Sequence, residues 1–233
     1  DDRGLSLQEM VTDENGATAP VSLPTLQKIL SQNPYIGGKP YTCYRIQARA
    51  EGFYPLYITG VPILEGETTI LPLAFSLLLS AQPNPAPTHC DLTLPAVTQR
   101  VDCSQEGPLV DPCLLRQVAI PNPVTVHLGR PEAAVSNVRI SFPDYIKNVV
   151  SNEIYPTWPA TSLTANIYAT ISFALNRIFT EWYRGRGYNF DITCDPEYDL
   201  SFVYGSPTYA GISRAVDGIF NEYVHRSEEH TSE

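Results

Sequence analysis

The chain has 233 residues, 43% of them hydrophobic, and a formal net charge of -10 with only 15 Lys plus Arg. That apolar content rules out a disordered chain and is enough for one large or two small folded cores. So acidic a balance supplies no basic footprint for a phosphate backbone, which excludes nucleic acid and anionic membrane surfaces as expected partners.

The first residue is Asp1, not Met, so the chain is expected to be processed, trimmed or a fragment. From Asp1 to about Leu79 the pattern reads as β. Asp13-Glu14-Asn15-Gly16 is a turn signal between Met10-Val11 and Val21 to Leu23, and Tyr41 to Ala48 alternates at the strand period. Phe53 to Ile58 and Thr68 to Leu73 predict two more strands, separated by Gly60 and by Glu65-Gly66. Short strands at this spacing predict a sandwich. Leu71 to Ala81 is the most apolar stretch. It falls short of the roughly 18 apolar residues that a membrane span needs, and it reads as the end of the sandwich.

From Gln82 to about Ala119 the chain changes character. Pro83, Pro85, Pro87, Pro95, Pro108 and Pro112 interrupt any regular pattern and predict an extended linker. Five cysteines, Cys43, Cys90, Cys103, Cys113 and Cys194, form an odd set without a C-x-x-C pair. Unpaired thiols and a disulfide within the Cys90, Cys103 and Cys113 group are both compatible with it. His89 beside Cys90 lacks the other ligands of a zinc site, so no metal is expected here.

Val124 to Leu128 and Val138 to Ile140 then predict a strand pair joined through Gly129-Arg130-Pro131, with His127 as an edge-strand histidine. Next come two amphipathic helices. Ser141 is positioned as an N-cap and Pro143 stands in the first turn, where its missing N–H costs nothing. Tyr145, Ile146, Val149 and Val150 recur at helical spacing, and Glu153 lies one turn beyond Val149, at the edge of the apolar stripe. Pro156 and Pro159 separate this helix from a second, whose Leu163, Ile167, Ile171, Ala174, Ile178 and Trp182 share a face. Gly185 and Gly187 are expected to end it.

Two resemblances follow from these segments. The Thr-Asp-Glu-Asn-Gly turn, the Tyr44 to Phe53 strand and the Gly66-Glu67-Thr68-Thr69 run resemble the transthyretin-like or carboxypeptidase-regulatory-like sandwich, which implies a scaffolding or adhesive module. Tyr145-Ile146-Lys147-Asn148-Val149-Val150-Ser151-Asn152-Glu153-Ile154-Tyr155-Pro156-Thr157-Trp158-Pro159, with the Leu163 to Leu175 helix, resembles the core of the stage II sporulation protein D family. Phe190 to Asp195, Phe202 to Gly205 and Ile212 to Val224 extend this likeness, which covers about Val124 to Val224. Together they imply an α+β chain: a sandwich at 1–80, a Pro-rich linker at 81–119 and an incomplete sporulation-type α+β domain at 120–225. Residues 226–233 resemble a sequencing-adapter oligonucleotide translated in frame and are expected to be non-native, so the last domain is expected to stop early.

The family resemblance implies a lytic transglycosylase acting on peptidoglycan glycan strands outside the cytoplasm, in the cell wall or spore envelope, alongside other sporulation proteins. It makes Glu153 the catalytic acid and Asn152, Tyr155, Trp158 and Tyr204 the residues that meet the sugar. Tyr155 and Trp158 read also as caps of the core, Trp158 equally so. A non-catalytic wall-binding or spore-surface-binding module is the other reading. No cofactor is expected within this chain, although the family often holds zinc in a Cys/His cluster further on. Such an enzyme needs no water, because the 6-hydroxyl of the sugar attacks the anomeric carbon, so one carboxyl can serve as acid and then base; partial burial against Tyr155 and Trp158 would raise its pKa for the task. One departure stands out: Ile171 occupies the place of the family's Arg, and Arg177 lies nearly two turns further on.

Overall fold

A computed structural model describes residues 7–33, 37–77, 88–91 and 119–223, of which 88–91 are described by backbone alone. Most of the expected linker, with Cys103 and Cys113, and the tail at 226–233 lie outside the described residues; within the linker's expected bounds Thr88–Asp91 instead form a strand beside Leu56–Thr59, because their backbone finds a ladder partner there. The chain is of mixed α+β class and divides into two compact units. The first holds the described residues up to Asp91 together with Tyr155–Trp158 and Gly205–Gly211; the second holds the rest.

In the first unit, β1 (Thr42–Ala48) pairs antiparallel with β2 (Leu56–Ile63). The alternation read from Tyr41 to Ala48 is the physical cause, since β1 turns every second residue inward. Tyr44 pairs with Val61 and Ile46 with Ile58, so β2 carries one residue more than β1 across that step. Gly60, at φ 75°, takes up the excess in a bulge that needs a residue without Cβ. Leu56, Ile58, Val61 and Leu64 form the core here, with Ile46, Ile63 and Leu71 packed against Ile58 and Val61. A third strand, β4 (Thr88–Asp91), pairs parallel with β2, and β3 (Thr69–Ile70) pairs antiparallel with β8 (Thr208–Tyr209).

Asp13 to Gly16 does turn: Asp13 Oδ1 accepts from the Asn15 and Ala17 N–H groups, each at 2.9 Å. The flanking segments are not strands, because Met10-Val11 and Val21 to Leu23 have no ladder partner, and Met10 and Val11 are exposed. A short helix unforeseen from the sequence, α1 (Lys28–Gln32), follows instead.

In the second unit, β5 (Val124–His127) pairs with β6 (Asn137–Ile140), as the two apolar runs predicted. His127, however, is not on an edge. The strand β7 (Ile192–Thr193) pairs parallel with the other side of β5, which makes β5 the central strand. His127 is buried there, stacked 4.4 Å from the Phe190 ring, with Nδ1 2.7 Å from Asn137 Oδ1 and Nε2 3.1 Å from the Arg130 carbonyl. Both ring nitrogens are thus used in holding the sheet and its turn.

The helix α2 (Phe142–Glu153) begins where expected: Ser141 Oγ accepts the Asp144 N–H at 3.2 Å and Pro143 stands in the first turn. Ser141→Ala should therefore lower the stability of this unit by about 1 kcal/mol, read as a shift in the thermal unfolding midpoint. Phe142, Tyr145, Ile146, Val149 and Val150 are completely buried, each worth about 1.5–3 kcal/mol of transfer free energy. Facing them, α3 (Ala160–Phe179) buries Leu163, Ile167, Ile171, Ala174 and Leu175.

The end of α3 departs from the sequence reading. The helix stops at Phe179, short of Trp182, in a Schellman motif: the Trp182 N–H donates to the Arg177 carbonyl and the Glu181 N–H to that of Ile178, each at 3.1 Å. Glu181 takes the left-handed position at φ 51°, a place usually held by Gly. Gly187, at φ 88°, closes a separate 3-10 turn, Arg184–Arg186. Among the described residues no helix is long and apolar enough to cross a membrane. The helix α4 (Ala210–Ile219) completes the described chain, with Ile212 and Val216 buried.

Candidate functional site

Glu153 is the last residue of α2, and the helix is closed behind it by the Ile154 N–H donating to the Val150 carbonyl at 3.1 Å. Its carboxyl is partly buried. Oε1 accepts the backbone N–H of Ser201 at 3.2 Å. Burial pushes the Glu153 pKa above its ordinary value; the Ser201 N–H and the Asn166 side chain on α3 favour the charged form and reverse only part of that rise. Among the described residues no other carboxylate adds to this rise.

The segment that supplies Ser201 is held in place by α2. Asn148 acts as a strand would: its Nδ2 donates to the Val203 carbonyl at 2.9 Å and its Oδ1 accepts the Val203 N–H at 3.0 Å. Asn152 donates through Nδ2 to the Asn148 carbonyl at 2.8 Å and to Asn148 Oδ1 at 3.1 Å. Phe202 stacks on Tyr145 with ring centres 5.5 Å apart. Tyr204, 63% exposed, stands at the end of this segment and lines an open depression of about 500 Å3 with Leu128, Gly129, Cys194, Asp195 and Val203.

The residues expected to form the site are thus distributed as follows. Glu153 and Tyr204 are connected through the Ser201 to Tyr204 segment, and Glu153 does not line the depression that Tyr204 lines. Asn152 is buried, and its amide bonds within α2 instead of facing solvent. Tyr155 and Trp158 belong to the first unit. There the Tyr155 ring lies 6.3 Å from that of Tyr41, and the Trp158 indole N–H donates to the Ser31 carbonyl at 3.0 Å. Both rings are partly buried and packed, as core caps would be.

Ile171 is fully buried, so an Arg at this position would place its charge within the core. Arg177 is committed elsewhere. Its Nε lies 2.8 Å from Asp199 Oδ1, its Nη2 donates to the Tyr198 carbonyl at 3.0 Å, and its guanidinium stands 4.3 Å from the Trp182 ring centre. Asp199 is the hub of this network, with no exposed side-chain surface. Its Oδ2 accepts the Tyr183 hydroxyl at 2.7 Å, the Thr193 N–H at 2.9 Å and the Thr193 hydroxyl at 2.6 Å. Burial and the adjacent carboxylate raise the Tyr183 pKa, so this phenol keeps its proton.

Asn148, Asn166 and Asp199 were not anticipated from sequence. One signal was available: Asn148 and Asn152 are polar residues four apart among the apolar positions of α2, which calls for a hydrogen-bonded partner. Asn148→Ala should cost about 1–2 kcal/mol and strip the Val203 amide of its protection in hydrogen exchange.

Cys43 is exposed and Cys194 partly buried, both as free thiols, and burial with the Asp195 charge raises the Cys194 pKa. The side chain of Cys90 is outside the described residues. Among the described residues no group of three or more His, Cys, Asp or Glu is arranged to hold a metal ion. Compared with protein-family models, curated proteins and solved structures, the chain matches none.

Proposed function

We propose that the second unit is a lytic transglycosylase of the stage II sporulation protein D type, which cleaves peptidoglycan glycan strands with Glu153 as acid and then base. The observation that carries this reading is the state of Glu153: a partly buried carboxyl that accepts the Ser201 N–H and is raised in pKa by burial, at the end of the helix whose sequence bears the resemblance. A surface glutamate at a helix end would be hydrated and unperturbed. In the proposed reaction the acid form protonates the glycosidic oxygen as the bond to the anomeric carbon breaks. The 6-hydroxyl of the same sugar bonds to that carbon and gives its proton to the carboxylate, which restores the acid and leaves a 1,6-anhydro end. No water is consumed, so the second carboxylate of a hydrolase is not required.

Tyr204 is the best placed of the sugar-facing candidates, since its exposed ring offers a stacking surface beside an apolar depression. The site carries neither metal nor cofactor in this scheme, and the reading places the chain outside the cytoplasm with glycan strands and other sporulation proteins as partners. The first unit, with its antiparallel hairpin of alternating burial, is read as a transthyretin-like sandwich that serves as a scaffold or adhesive module.

Ile171 favours a second reading, a wall-binding or spore-surface-binding protein without catalysis, because a buried aliphatic side chain stands where the resembled family has its Arg. Digestion of stem-peptide-free glycan strands decides between them. Anhydro-muramyl ends detected by mass spectrometry support the enzyme; retention of strands in a pull-down without such ends supports the binding module.

A further inference from the structure

The first unit holds a strand with an open side and a segment with no ladder, and their charges are opposite. β1 is bonded to β2 on one side, and among the described residues no strand pairs with its other side. It is regular there, because the extra residue of the bulge lies in β2 and no Pro interrupts Thr42–Ala48. An open side of this kind presents backbone N–H and C=O groups as a template for another chain. The segment is 7–13, just ahead of the Asp13 turn. It has no regular structure and every residue of it is exposed, with Leu7, Met10 and Val11 keeping 58%, 44% and 87% of their surface in water. It contains no Pro, and Val11 and Thr12 suit a strand.

Every charged residue from Leu7 to Gln27 is acidic: Glu9, Asp13 and Glu14. From Thr42 to Arg49 every charged residue is basic: Arg45 and Arg49, both exposed. Glu9 and Asp13 stand four residues apart, as do Arg45 and Arg49, so in strands each pair shares one face. Laid parallel to β1 with Glu9 beside Arg45, the segment sets Val11 beside Gln47 and Asp13 beside Arg49 on the solvent face, where β1 turns Cys43, Arg45 and Gln47 outward. On the opposite face Met10 falls beside Ile46, a half-buried side chain packed on Ile58 and Val61. An antiparallel match of the same charges meets the Asp13 turn at Arg45 and covers β1 only from there on. The parallel register covers it from Cys43 to its end.

We infer that residues 7–13 of one copy add as a parallel strand to the open side of β1 in a second copy. The chain is tied to its own sheet from Thr25 onward, where Thr25 Oγ1 donates to the Ile63 carbonyl at 2.8 Å and the Leu26 N–H to Thr42 Oγ1 at 3.1 Å. Glu14 to Pro24 then form a tether that spans roughly 35 Å at most, enough to reach a neighbour. The segment leaves its own β1 unpaired, and any second copy carries the matching charges. Two such additions, one in each direction, close a two-fold dimer.

The test uses the full chain, with sedimentation velocity across a concentration series and hydrogen exchange of the β1 amides at each step. A dimer should form as concentration rises, and the β1 amides should gain protection in parallel with it. Glu9→Arg and Arg45→Glu each place like charges side by side at both contacts, and each should raise the dissociation constant of the dimer about tenfold. Mixed in equal amounts, the two variants face each other with opposite charges at both contacts and should associate as the wild-type chain does. Deletion of residues 1–13 should leave a monomer. A wild-type chain that stays monomeric, a dimer that survives the deletion, or variants that regain nothing on mixing overturns the inference. Protection of β1 in a chain that remains monomeric also overturns it, since the segment would then lie on its own strand.

Discussion

Glu153→Gln is expected to abolish formation of anhydro ends, a loss of about 10^2- to 10^4-fold, the range a positioned general acid–base contributes. The substitution keeps the size of the side chain and an acceptor for the Ser201 N–H, so the fold around it should survive. Thermal unfolding of the variant separates lost chemistry from lost structure. The direction of the pKa shift gives a second readout. Burial raises the Glu153 pKa in the folded chain above its unfolded value, so between the two values the native state binds more protons. Stability must therefore decline as pH rises from the unfolded pKa through the folded one, and level off above it. Glu153→Gln should remove that decline. Activity that depends on the acid form should fall above the raised pKa in the wild-type chain. A Glu153→Gln chain that still produces anhydro ends would remove Glu153 from the mechanism.

The largest effect on stability is expected at Asp199. Its carboxylate is wholly buried, with Arg177 at one oxygen and three donors at the other. Asp199→Ala leaves the Arg177 charge without its counter-ion and the Tyr183 hydroxyl and the Thr193 N–H without their acceptor, at a cost of about 3–5 kcal/mol. The midpoint of thermal unfolding of this unit should drop by at least about 10 °C. Asp199→Asn tests whether charge and acceptors, or merely shape, are responsible. Whichever way the amide faces, its NH2 group meets a donor, so this near-isosteric change should still cost about 2 kcal/mol. A melting curve unchanged in Asp199→Asn would mean that the network contributes little.

Much of the second unit was legible because its signals are local. Ser141, Pro143 and the spacing of Tyr145, Ile146, Val149 and Val150 define α2 without reference to anything distant, and Pro156 and Pro159 mark its separation from α3. Most of the misreadings involve partners remote in sequence. His127 looked like an edge residue because β7, 65 or so positions further on, cannot be paired with β5 by inspection. The apolar pairs near Met10 and Val21 resembled strands but had no ladder to join. The stop of α3 at Phe179 was hidden because Glu181 adopts the conformation expected of glycine.

The candidate site was legible only in part. Glu153 was marked by its place at the edge of the α2 stripe, and the expectation that burial would raise its pKa agrees in direction with the structure. The contribution of Asn148 and Ser201 was not, because each depends on the segment after Asp199 returning to α2. Tyr155 and Trp158 stood close to Glu153 in sequence, yet their packing is with Tyr41 and Ser31 of the first unit. Adjacency along a chain that contains two prolines does not predict which core a ring joins.

The short ladder between Thr69-Ile70 and Thr208-Tyr209 bears on how this protein is made. Roughly 140 residues of chain lie between its two halves, so closing it carries an entropic cost that only late-formed contacts can offset. During synthesis the hairpin of β1 and β2 emerges early, but β3 has no mate until translation has passed Tyr209. A ribosome stalled before that codon would hold an unfinished amino-terminal body with an open strand edge, vulnerable to proteases and to pairing with a second nascent chain.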